Sequence, residues 1–83
     1  MPFLFPAVPQ HKIGDQIAKI REELDELENF RDEDNLIEEY WDCIHALEQK
    51  GREIMVYVGH ERFWSGRDMV LTKNYGRGLY AKN

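Results

Sequence analysis

The sequence predicts an all-α fold, an antiparallel helical hairpin extended to a three- to four-helix bundle and completed by oligomerisation. Three observations support this. Apolar residues recur at steps of three and four through residues 13–47, the period of a helix face. They are interrupted only by a short polar connection, RDEDN (31–35), so the flanking helices are expected to run antiparallel. EIMVYV (53–58) has strand propensity but no second candidate strand to pair with, so it reads as helix against its composition.

Taken in order, MPFLFPAVP is apolar but lacks a basic n-region and carries Pro2, Pro6 and Pro9. It reads as neither a signal peptide nor a membrane span. Residues 1–12 are therefore expected to form an extended arm, packed on the body or on a neighbouring subunit. A helical domain is expected over residues 13–80 and a tail over 81–83. Ile13, Ile17, Ile20, Leu24 and Leu27 form the apolar face of a first helix, expected from near Asp15 to near Phe30. Asn35 with Glu38 resembles a helix start with an acidic residue at the third position. The second stripe is Leu36, Tyr40, Ile44 and Leu47, with Ile37 and Trp41 to one side. That helix is expected to reach about Lys50, with Gly51 ending it or absorbed in it. Residues 60–75 read as a final helix closed by Gly76 and Gly78.

A chain of 83 residues has a thin core, and such chains commonly add disulfides, metals or oligomerisation. Cys43 is the single cysteine, which excludes a disulfide within the chain. It fits a reducing compartment, and so a cytoplasmic protein. The apolar side chains exceed what one chain readily buries, so a homodimer or homotetramer is expected.

Charge is unevenly spread. Residues 11–50 carry 13 acids and 5 bases, a net −8; residues 51–83 carry 3 acids and 6 bases, a net +3. The overall −5 argues against a nucleic-acid partner. The split suits an acidic half that holds cations and a basic end that holds phosphates, or two solvated faces of opposite sign.

The acidic density peaks at residues 22–42, with eleven acids and one base. Helical projection separates them: Glu23 lies about 80° and Glu26 about 140° from the apolar centre on one side, while Glu22 points nearly away from the core. On the second helix Glu39 falls between Cys43 and Ala46, with Asp42 one turn on. Each helix thus offers an i, i+3 pair, Glu23 with Glu26 and Glu39 with Asp42. Four carboxylates on facing flanks repel unless a cation compensates. Mg²⁺, a hard ion that takes oxygen ligands and phosphates, suits them. The competing reading is solvated helix surface.

EELDE (22–26) followed by EYWD (39–42) resembles the E-E-x-x-E … E-x-x-D signature of MazG-type nucleoside triphosphate pyrophosphohydrolases. These belong to the all-α group that also includes dimeric dUTPases. KNYGRGLY (73–80) is similar to the Lys-Asn … Arg-Gly ending common in such proteins. The resemblance spans roughly residues 13–80, with twelve residues between Glu26 and Glu39 and only a proline-rich arm where the family usually has a further helix. It implies a Mg²⁺-dependent enzyme, with Mn²⁺ as the alternative ion, that splits a nucleoside triphosphate into monophosphate and pyrophosphate. It implies Glu23, Glu26, Glu39 and Asp42 as metal ligands, with Glu22 and Glu39 in catalytic positions, Glu22 to orient a ligand or a water. Lys73, Asn74 and Arg77 become candidates for the outer phosphates; basic residues at a helix end also answer its dipole without a ligand. Tyr40 and Trp41 are base-stacking candidates, or else core and interface aromatics.

Two rivals come from other classes. Asp42 and His45 form an acid-x-x-His pair of the kind used in di-iron helical proteins, although His45 projects away from the apolar stripe and reads as solvated. A noncatalytic helical assembly protein would use the same hairpin with its charges solvated.

Overall fold

The computed structural model describes residues 3–80; the expected tail and the first two residues of the arm lie outside them. Among the described residues there are three α-helices and no strand: α1 (Gln16–Glu28), α2 (Glu33–Val58) and α3 (His60–Gly76), preceded by a 3-10 turn at Gln10–Lys12. The all-helical expectation holds with three helices rather than four. None is long and apolar enough to cross a membrane.

Asp15 caps α1 by accepting the Ala18 N–H at 3.1 Å, as short acidic side chains do at helix starts. The start of α2 differs from expectation. Its cap is Asp32, whose side chain accepts the Asn35 N–H at 2.8 Å and whose carbonyl accepts the Leu36 N–H at 2.9 Å. Asn35 lies inside the first turn and is buried. The end of α2 differs too. Residues 53–58 are helical but continue α2 past Lys50, with Gly51 absorbed. Glycine in a helix interior costs about 1 kcal/mol, and the Lys50–Glu53 pair at 2.9 Å bridges that turn. Gly59, at φ +97°, then separates α2 from α3 in a conformation that a side chain disfavours.

The described residues divide into two compact units, 3–53 and 54–80. In the first, Glu23 of α1 meets Glu39 and Asp42 of α2, while the earlier Gln16 shares a cleft with the later Gln49. The helices therefore run antiparallel. Their seam buries Cys43 and Ala46 together with Gln16, Glu23, Asn35 and Gln49. Ile20 and Leu27 are half-buried beside them. The apolar stripes are only partly used: Ile17, Leu24, Tyr40 and Leu47 stay 44–49% exposed. Small and polar residues let the two backbones approach, and the larger apolar side chains remain on the flank.

The arm packs on α2. Glu48 accepts the N–H groups of Leu4 and Phe5 at 2.9 and 2.8 Å. Gln49 accepts from Val8 N–H at 3.1 Å and donates to the Pro6 carbonyl at 3.1 Å. The Arg52 guanidinium donates to the Phe5 and Pro6 carbonyls and sits 4.4 Å from the centre of the Phe3 ring. Hydrogen bonds to charged groups contribute about 1.5–3 kcal/mol. Glu48→Ala is accordingly expected to free the arm. Faster hydrogen exchange at the Leu4 and Phe5 amides, with α1 amides unchanged, checks this.

In the second unit α3 buries no residue fully. Its apolar positions, Phe63, Trp64, Met69, Val70 and Leu71, spread round the helix rather than forming one stripe. Aromatic pairs pack locally, Phe63 on Trp64 at 4.9 Å and Tyr75 on Tyr80 at 4.7 Å between ring centres.

Candidate metal centre

Glu23 is the pivot of the acidic region. Its position on α1 turns it into the seam, and its side chain is only 7% exposed. One carboxylate oxygen takes the Lys19 ammonium at 2.8 Å; the other, Oε2, is buried with no partner among the described residues. Glu39 has the same asymmetry. Its Oε1 accepts from the Asn35 side-chain amide at 3.0 Å, and its Oε2 is buried and unpartnered. A buried carboxylate oxygen without a donor is costly.

Glu23, Glu39 and Asp42 each offer an oxygen within 4.8 Å of the others. A second group, Glu22, Glu23 and Glu26, meets the same criterion on α1 alone. The structure thus brings together all five acids of the expected site around Glu23. Glu22 is exposed, as its projection requires, and lies 3.7 Å from Lys19.

The electrostatics reflect crowding. The charge of Glu23, and after it the neighbouring Glu39 carboxylate, raises the Glu26 carboxyl above its ordinary value. Burial, then the charges of Glu23 and Glu39, raise Asp42. Lys19 moves up as well, chiefly through its hydrogen bond to Glu23. Burial, then the same carboxylates, raises the Cys43 thiol, so Cys43 is a packing residue rather than a nucleophile.

The donor set is entirely oxygen, which fits Mg²⁺ or Mn²⁺ and not a soft ion. No histidine belongs to either group among the described residues. His45 is half-buried rather than solvated and packs edge-on against Phe5, 5.0 Å between ring centres.

Asn35, read from the sequence as a helix-start residue, instead reaches the acidic group with its side chain. It accepts the Arg31 N–H at 2.9 Å and donates to Glu39, so it ties the α1–α2 connection to a candidate ligand. Residues supporting metal ligands typically cost 10–100-fold in affinity when removed. Asn35→Ala is expected to weaken Mg²⁺ binding by about tenfold or more, read by calorimetry.

Two recesses flank the carboxylates. A cleft of about 600 Å³ includes Glu23 and Asp42 in its wall together with Gln16 and His45. A smaller recess of about 320 Å³ includes Glu26, Glu39 and Arg31. Tyr40 and Trp41 line neither; they pack on each other at 5.1 Å, and Trp41 also meets Phe5. Lys73, Asn74 and Arg77 belong to the second unit. There the Arg77 N–H closes α3 on the Lys73 carbonyl, and the Asn74 amide donates to the Tyr80 hydroxyl at 3.1 Å.

Comparison with protein-family models, curated proteins and solved structures finds no match to this chain.

Proposed function

We propose that the chain is a Mg²⁺-dependent nucleoside triphosphate pyrophosphohydrolase, releasing a nucleoside monophosphate and pyrophosphate. The observation that carries this reading is the pair of buried, unpartnered oxygens of Glu23 and Glu39 in a carboxylate group that spans two helices. The acidic signature and the closing KNYGRGLY add the resemblance to MazG-type enzymes.

In this reading Glu23, Glu39 and Asp42 hold the ion, with Glu26 completing the set. Bound there, Mg²⁺ supplies charge neutralisation for the phosphates and acidifies a water. The remaining work falls to the chain. Asn35 fixes Glu39 by its amide, leaving Oε2 toward the site. Lys19 holds one oxygen of Glu23. Glu22, exposed beside Glu23 and Glu26, is available to orient a ligand or an attacking water. Phosphate contacts by Lys73, Asn74 and Arg77 rest on the resemblance and on their donor chemistry. The half-exposed apolar residues of α1 and α2 support a homodimer or homotetramer, and a nucleotide substrate accords with the cytoplasm.

Those same exposed side chains favour the second reading, a noncatalytic helical assembly protein. Pyrophosphate release from a panel of ribo- and deoxynucleoside triphosphates, with and without Mg²⁺, separates the two. Release that requires Mg²⁺ is the expected result. No release from any nucleotide, together with no Mg²⁺ uptake by calorimetry, leaves the assembly protein.

A further inference from the structure

The cleft beside the carboxylates contains a second unsatisfied group, and it is not an acid. Gln16, at the first position of α1, is 7% exposed, and neither atom of its carboxamide has a hydrogen-bond partner among the described residues. The contrast with Gln49 in the same wall is informative. Gln49 is equally buried, but its amide is spent on the arm, giving to Pro6 and accepting from Val8. One glutamine holds the structure together; the other holds nothing. An unpaired buried amide is a cost to folding, and costs of that kind are kept where a ligand meets them.

We infer that Gln16 reads the hydrogen-bonding edge of the nucleobase of a nucleotide seated in this cleft, an inference that rests on the nucleotide reading above. The cleft supplies what a neutral heterocycle needs. Ile13 and Ala46 contribute apolar wall, and the imidazole of His45 forms part of it. The cleft shares Glu23 and Asp42 with the candidate metal centre, so a ligand held by Gln16 lies alongside the ion site. Lys12 adds a cationic group to the same wall, suited to the charged end of such a ligand. A carboxamide offers one donor face and one acceptor face and is reversed by turning over. It matches any base with a neighbouring donor and acceptor, so Gln16 separates base from no base more than one base from another.

The test uses the full chain and two probes, nucleoside monophosphates and inorganic tripolyphosphate, each with Mg²⁺. Gln16→Met keeps the shape and removes both hydrogen-bonding atoms. The Gln16 side-chain amide resonance, identified by its loss in that variant, is expected to shift with nucleotide and not with tripolyphosphate. Nucleotide affinity is expected to fall about tenfold in Gln16→Met, with tripolyphosphate affinity unchanged and the unfolding midpoint no lower. Equal nucleotide affinity in native and variant chains, or a lowered midpoint with binding untouched, overturns the assignment and makes Gln16 a structural residue. Hydrolysis that proceeds equally well in Gln16→Met sinks this inference and leaves the enzyme standing. Base binding through Gln16 without any hydrolysis sinks the enzyme and leaves the inference.

Discussion

Glu39→Gln is expected to lower Mg²⁺-dependent pyrophosphate release by at least about a hundredfold, since residues that merely support a metal ligand already cost 10–100-fold. The substitution is nearly isosteric. It also keeps an acceptor for the Asn35 amide, whose bond to Glu39 Oε1 is 3.0 Å. The helices should therefore persist, and far-ultraviolet circular dichroism should match the native chain. What changes is the buried Oε2, replaced by an amide that cannot ligate a hard cation as a carboxylate does. Glu22→Gln should be milder, because Glu22 is exposed and lies outside the group that joins the two helices. Full release from Glu39→Gln would remove the centre as the seat of catalysis.

The second large effect is on stability. If the proposed centre binds a divalent ion, the acidic group opposes folding without the ion and favours it with the ion. At a Mg²⁺ concentration about one hundred times Kd, linkage gives about 2.7 kcal/mol, or a rise of about 10 °C or more in the midpoint of a chain this size. Asp42→Asn is expected to raise the metal-free midpoint and to shrink the Mg²⁺ increment. The pH dependence follows from the same crowding. Asp42 and Glu26 are both raised in the folded chain from ordinary values of 3.8 and 4.5. The folded state thus binds their protons more tightly than the unfolded state, and their contribution to stability falls as pH rises. The penalty is absent below the ordinary values and complete above the raised ones. Thermal unfolding in a chelator and in Mg²⁺, from pH 4 to 7, reads all of this. A midpoint indifferent to Mg²⁺ throughout would exclude the centre as a metal site.

The sequence made the carboxylates legible because helical periodicity assigns residues to faces. Glu23 and Glu26, and Glu39 and Asp42, fall on flanks that a short polar connection must bring together, and they do meet. Periodicity does not say how far each helix rotates about its axis. The apolar stripe through Ile17 and Leu24 was expected to be the core, yet the seam turns toward Gln16, Ile20, Glu23 and Leu27, with Cys43 and Ala46 opposite. That rotation buries Gln16, which lies off the apolar stripe. Asn35 was read as a cap because its position relative to Glu38 allowed it. Asp32 competes for the same role and wins, which frees the Asn35 side chain for Glu39. The arm's contacts join residues more than forty positions apart and leave no periodic trace.

The way α2 grips the arm has one more consequence. Glu48, Gln49 and the Arg52 hydrogen bonds touch only main-chain N–H and C=O groups of residues 4–8. The clamp is blind to side-chain identity there: Leu4 or Val8 can become serine or lysine without losing a bond. It is not blind to amide protons. Proline at 4, 5 or 8 deletes a donor, whereas the native Pro6 sits where only its carbonyl is used. The hydrogen-bonded clamp therefore sets where imino acids can stand, while side-chain identity matters chiefly at Phe3 and Phe5, whose rings meet Arg52, Trp41 and His45.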